Sequence, residues 1–488
     1  MNKLLPRSLP LLILAVPLVA SALPDSNTIE FSNCMLSLPG TNLTASARCG
    51  SYELPEDPAN PEGRKISLRV AVAPATGKTT EPDPVFFFAG GPGQAASETW
   101  VMLRSTLNKI RKTRDIVMID QRGTGQSNKL ACSSDIEEDL DREIDLELLR
   151  TETEKCLSAL DGDPRFYTTT IAMGDYNQVR EAMGYEQINL MGVSYGTRAA
   201  QVYLRLFPET VRTMTLDSVV PMQLALGQEH SIMLDRSVMA VLADCARDEI
   251  CNSLYPRASG ELDALFAQLR EQPLHTTIID PVSGESEKIL ISADTLAVAI
   301  RFLSYSSETQ ALIPLLIHEA VTTGDLTRLA SQAILVMSGL SEMLSKGMEL
   351  SVMCAEDYPQ MDLSADYGGT LMGNLLLQVM DVQCQIWPRG EVPADFHQPV
   401  ISDVPVLLMS GERDPVTPPE YAEKTAETFS NSLNLIARGQ AHSVMKNICL
   451  RNITTAFIQQ GSIEELDTAC IENILPAPFF TSLLGPDP

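Results

Sequence analysis

The stretch "INLMGVSYGTRAA", Ile188 to Ala200, decides how this chain is read. An apolar run leads into Gly192, Val193, Ser194, Tyr195 and Gly196, and a helix-compatible run leads out. A serine between two glycines at such a junction can be a plain tight turn. It can also be a nucleophile on a sharp elbow, where small flanking residues let the backbone turn and hold the hydroxyl clear. The second reading requires a strand before the serine and a helix after it. It also requires a base and an acid that orients the base.

The format recurs on both sides of the elbow. "PVFFFAGGPGQAA" (Pro84 to Ala96) and "DIVMIDQRGTGQS" (Asp115 to Ser127) are apolar runs that end in glycine-rich turns, and "TMTLDSVVP" (Thr213 to Pro221) follows the same pattern. Helix-like segments such as "YNQVREAMG" and "TRAAQVYLRLFPE" lie between. Strands alternating with helices in this way predict an α/β fold with a mostly parallel central sheet flanked by helices. Ligands of such sheets sit at the carboxyl ends of the strands, where these turns lie. Upstream, "KISLRVAVA" (Lys65 to Ala73) alternates as a half-buried strand does.

From about residue 223 to 396 the rhythm is lost, and amphipathic helices such as "DTLAVAIRFLSY" and "LIPLLIHEAVTTG" take over. It resumes at "VPVLLMSGERDPVTP" (Val404 to Pro418) and "LNLIARGQAHSV" (Leu433 to Val444). The expected organisation is a core made from residues 23–222 and 397–488, with a mainly helical cap, 223–396, inserted between its parts.

Residues 1–22 read as a secretory signal peptide. Lys3 and Arg7 precede an apolar run from Leu9 to Val19, and Ala20-Ser21-Ala22 is a small-x-small cleavage site. The run is well short of the roughly 20 residues that span a bilayer, so no membrane span is expected after cleavage. Export is also the setting in which an even number of cysteines forms disulfides. The ten are Cys34, Cys49, Cys132, Cys156, Cys245, Cys251, Cys354, Cys384, Cys449 and Cys470, which in chain order make five short-range pairs. Spacing alone does not prove that pairing. A zinc site is disfavoured, because no CxxC pair and no neighbouring histidine supports it. No metal and no organic cofactor is implied.

The formal net charge is −27. Removing Lys3 and Arg7 from the 36 basic residues, against 63 acidic ones, brings the mature chain to about −29. Such a surface repels nucleic acid and anionic membranes, so neither is expected as a partner.

A serine needs a base, and the chain has five histidines. His230, His275, His318 and His397 fall in or at the edge of the expected cap, whereas His442 follows a core strand in the loop "GQAHSV". His442 is therefore the expected base. The orienting acid should lie between serine and histidine in this chain order. "LLMSGERDPVTP" offers Glu412 and Asp414, and Asp414, deeper in the loop and ahead of Pro415, is favoured. For the oxyanion, one donor is the backbone N–H of Tyr195, which follows the nucleophile. The other comes from "AGGPG" (Ala89 to Gly93), with Gly91 the first choice and Gly90 the second.

The chain resembles the α/β-hydrolase serine peptidases of the prolyl and tripeptidyl aminopeptidase type. The resemblance rests on "GGPG", "DQRGTGQS", "YTTTIAMGDYNQVREAMGYEQINLMGVSYGTRAA", "VRTMTLDSVVP", "SVMCAEDYP", "GERDPVTP" and "GQAHSV". The "SYGT" form of the elbow looks like the tripeptidyl branch, since the prolyl branch usually has tryptophan after the serine. Ala89 departs from the pattern, standing where many relatives have histidine before "GGPG", and this loosens the substrate assignment. The resemblance implies an α/β-hydrolase fold with a helical cap, a Ser194–Asp414–His442 triad and a free-amine peptide substrate. It also implies Glu356 and Asp357, in "CAEDYP", as receptors of the substrate's amino group, while a solvated acidic loop is the alternative. Arg122 in "DQRGTG" is expected to tie loops together. A carboxylesterase acting on small esters would use the same machinery. A non-catalytic binding ectodomain would predict a broken triad, which these residues do not show.

Overall fold

The computed structural model describes residues 28–132, 144–280 and 284–486, side chains at 333 and 336–341 aside. The expected signal peptide, residues 1–22, lies outside the described residues.

Nine strands form one sheet: β1 (Ser32–Ser37), β2 (Thr44–Pro55), β3 (Lys65–Ala73), β4 (Val85–Phe88), β5 (Ile116–Ile119), β6 (Ile188–Val193), β7 (Val211–Asp217), β10 (Val406–Gly411) and β11 (Ser432–Ala437). The order is β1-β2-β3-β5-β4-β6-β7-β10-β11. The first three strands and the β3–β5 pair are antiparallel; from β5 to β11 every neighbour is parallel. The chemistry of the strands explains the change. β2 and β3 alternate buried and exposed residues, as a sheet with one wet face does. β4, β5 and β10 are buried throughout, as strands covered by helices on both faces must be.

The two faces carry separate cores. Phe86, Phe88, Leu190 and Met214 point to one, with Tyr176 and Tyr203 from the helices Thr169–Ala182 and Tyr195–Leu206. Phe87, Met118, Met191 and Met409 point to the other, under Trp100 and Phe457. A third core, around Leu262, Phe266, Leu296 and Ile317, belongs to the inserted helices. The insertion also holds a hairpin that the helical reading had missed, β8 (Leu274–Ile279) paired antiparallel with β9 (Ser286–Ile291). Its strands are short and mixed in pattern, with no apolar run ending in glycine, so the cue used for the core strands could not mark them.

Five disulfides join neighbours in chain order: Cys34–Cys49, Cys132–Cys156, Cys245–Cys251, Cys354–Cys384 and Cys449–Cys470. Among the described residues no helix is long and apolar enough to cross a membrane.

Candidate active site

Ser194 stands between the end of β6 and the helix Tyr195–Leu206 with φ +56° and ψ −127°. A side chain rarely occupies that region, and a residue held there is fixed by its surroundings. The flanking glycines make the turn possible. A Cβ on Gly192 would collide with the Gly196 carbonyl, and one on Gly196 with the carbonyls of Phe88 and Ala89. The Ser194 amide donates to Asp217 O at the end of β7 (2.9 Å), and its carbonyl accepts from Thr197 N and Thr197 Oγ1.

The "AGGPG" turn lies against this elbow. A Cβ on Gly90 would stand 3.3 Å from Ser194 Cβ and 3.4 Å from Val193 O. Gly91 follows, exposed, with φ +103°. Asp120, buried at the end of β5, accepts from the amide and hydroxyl of Ser97 and the amide of Gln126, and so ties the turn's helix to the next loop.

Asp414 and His442 meet across the ends of β10 and β11. His442 Nδ1 and Asp414 Oδ2 are 2.8 Å apart. Asp414 also accepts from the amides of Val416 and Thr417 and from the Thr417 hydroxyl, 2.8–2.9 Å each. Burial alone would raise this carboxyl. The His442 charge and hydrogen bond, with the two amides, outweigh it and hold Asp414 below the usual carboxylate range. Burial likewise works to lower His442, but the Asp414 charge and hydrogen bond prevail and raise it. Glu412 is exposed and accepts from the Gly439 amide, so Asp414 is the acid in contact with the histidine. Gly411 brings the two loops together, since a Cβ there would overlap the Ala441 carbonyl.

Residues 83–242 match the family described as "alpha/beta hydrolase fold", and residues 370–470 match "TAP-like protein". This chain is an α/β hydrolase. Among its relatives are the "Putative hydrolase YuaR" of Escherichia coli (strain K12), 24% identical over 87% of this chain and 89% of the relative. Another is the "Serine protease Hip1" of Mycobacterium tuberculosis, 24% identical over 91% of both chains. A third is the "Tripeptidyl aminopeptidase" of Streptomyces coelicolor, 24% identical over 94% of this chain and 89% of the relative.

Several residues that position this hydrolase's site carry no motif of their own. Asp217, fully buried at the end of β7, accepts from the amides of Val444 (2.9 Å) and Met445 (2.9 Å), directly after the histidine loop. Its carbonyl receives the Ser194 amide, so one residue braces both the serine and the histidine. Ser218 adds a bond from the Ser443 amide to its hydroxyl (2.8 Å). The "LDSVVP" run held this signal, but only contact reveals its use. From the insertion, Tyr305 O accepts from the His442 amide, and the two rings meet edge to face at 5.3 Å. Ser307 Oγ accepts from the Ala441 amide, and Gln310 donates to the Arg413 carbonyl.

Glu356 and Asp357 are buried in a single π-helical turn, Met353–Asp357, under the elbow helix. Glu356 accepts from the Thr169 amide (2.6 Å) and hydroxyl (2.8 Å), and that hydroxyl is 2.6 Å from the Tyr195 hydroxyl. Burial first, then the Asp357 charge, push Glu356 up to about 8 against those bonds. Asp357 Oδ1 accepts from Arg198 (2.6 Å) and from the Leu226 amide (2.7 Å). Arg122 holds Asp175 through two nitrogens and donates to the carbonyls of Glu56 and Phe166, so it ties loops together. A cavity of about 820 Å³ lined by Glu81, Asp83, Arg114 and Arg212 opens at the other end of the sheet, away from Ser194.

Proposed function

We propose that this hydrolase is an exported serine aminopeptidase that releases short N-terminal pieces from peptides through an acyl-enzyme. Ser194 Oγ attacks the scissile carbonyl, and His442 Nε2 takes its proton. Asp414 holds the Nδ1–H of His442 and stabilises the imidazolium that forms. The amides of Tyr195 and Gly91, with Gly90 beside it, receive the oxyanion. His442 then protonates the leaving amine, the serine ester forms, and water reverses the steps. The observation that carries this reading is the 2.8 Å Asp414–His442 contact in the loops beside the strained Ser194 elbow.

Glu356 and Asp357 are the proposed receptors of the substrate's amino group. Asp357 pairs with Arg198 through Oδ1 and keeps a buried Oδ2 without a partner, whereas both oxygens of Glu356 accept from Thr169 and among the described residues no ion pair reaches Glu356. Its raised value means that an arriving cation would draw out its proton, and the bond gained is strengthened by burial. The relatives named as a serine protease and a tripeptidyl aminopeptidase support the peptidase assignment. Five disulfides and the N-terminal segment support export.

The test compares a tripeptide anilide bearing a free amine with the same compound acetylated, on wild type, Ser194→Ala and Glu356→Gln. The expected result is cleavage of the free-amine form alone, none by Ser194→Ala, and a raised KM in Glu356→Gln. Ser194-dependent cleavage of a short acyl ester with neither anilide cut would make the protein a carboxylesterase.

A further inference from the structure

Two inserted helices bring a cation to the histidine. Arg301 lies on the helix Ala293–Leu303, and His230 opens the helix His230–Arg247. Arg301 Nη2 donates to His230 Nδ1 (3.2 Å) and to the Tyr305 hydroxyl (3.3 Å). Tyr305 in turn packs its ring on His442 and accepts the His442 amide. The guanidinium thus sits one side chain away from the base.

Three features of this cluster have no structural explanation. Among the described residues Arg301 pairs with no carboxylate, in a chain whose net charge is −27. Arg301 Nε and His230 Nε2 are closed off from solvent without a partner. Because His230 Nδ1 accepts from Arg301, its Nε2 carries the hydrogen, so both orphaned atoms are donors. Burial, then the Arg301 charge, hold His230 far below an ordinary histidine, to about 3, so the ring stays neutral and in that tautomer. Unmatched donors around a lone buried-edge cation call for an anionic acceptor.

The position says which part of a substrate would bring it. His442 hands its proton to the leaving group, so a cation one side chain from His442 is within reach of the leaving fragment. We propose that Arg301 and His230 form a subsite for a carboxylate on the leaving fragment of a peptide substrate. This rests on the aminopeptidase reading above. The carboxylate can be the α-carboxylate of a single released residue or the side chain of an acidic one.

The experiment uses tetra-alanine, tetra-alanine amide and Ala-Ala-Ala-Asp amide. Hydrolysis by the wild type gives kcat/KM ratios, and calorimetry on Ser194→Ala gives binding ratios without turnover. Tetra-alanine should exceed its amide by on the order of tenfold in both readouts, the effect of one charge-assisted contact. The ratio should fall to about one in Arg301→Gln and be partly kept in Arg301→Lys. A matching preference for the aspartyl peptide over tetra-alanine amide assigns the site to a side-chain carboxylate instead. Equal ratios for all three in the wild type, or a preference that survives Arg301→Gln, overturns the subsite. If nothing is hydrolysed, the aminopeptidase reading fails, and the binding ratios still decide the subsite.

Discussion

Ser194 shows how one residue's conformation records a purpose. A serine at φ +56° is held there by Gly192 and Gly196, whose missing side chains make room for each other and for the end of β4. The histidine and its acid are tuned together. Asp414 raises His442, and a base must be neutral to accept a proton. The acid limb of kcat/KM should therefore fall above the ordinary histidine value near 6.5. Asp414→Asn removes the charge that raises His442, so its limb should move to lower pH, with kcat reduced by roughly 10⁴ through loss of the correct tautomer. A pH–rate profile of both forms checks this, and an unshifted limb would separate Asp414 from the histidine.

The elbow helix Tyr195–Leu206 is anchored as an element. Arg198, fully buried on it, holds Asp357 on the π-helical turn and donates to the Leu224 carbonyl. Two charges withdrawn from water are tolerable only while each faces the other. Arg198→Met should cost about 3–5 kcal/mol, because Asp357 keeps the Leu226 amide but is left buried without its counter-charge. Replacing both, as Arg198→Met with Asp357→Leu, should cost clearly less. Urea unfolding of the two variants measures the difference. Equal losses would mean that Arg198 acts by packing and not by charge.

At the scale of the molecule, disulfides close local loops while the sheet joins distant segments. Cys354–Cys384 spans 30 residues and fixes the turn that carries Glu356 and Asp357. Replacing both cysteines by alanine should lower unfolding stability by about 3–4 kcal/mol, as expected from closing a loop of that length. Urea midpoints, with and without reductant, test it. Reductant should shift the wild type at least as far, because it opens the other bridges as well.

The parallel strands β4, β5, β6, β7, β10 and β11, and β3 beside them, were legible in the sequence, because β3 alternates and buried parallel strands are apolar runs whose turns need glycine. Ser194, Asp414 and His442 stood out for the same reason: each follows such a strand, and the elements before and after constrain the turn. The antiparallel β1 and β2 carry no apolar run ending in glycine and were not marked. The β8–β9 hairpin was not legible, since its short mixed strands owe their form to packing on the inserted helices. Nor were Asp217 and Tyr305, which reach the histidine loop from 227 and 137 positions earlier. Local pattern, set by the period of burial and by backbone sterics, determined which elements form. Which side chains face one another across 100 or more positions is a property of packing, and only the tertiary structure decided it.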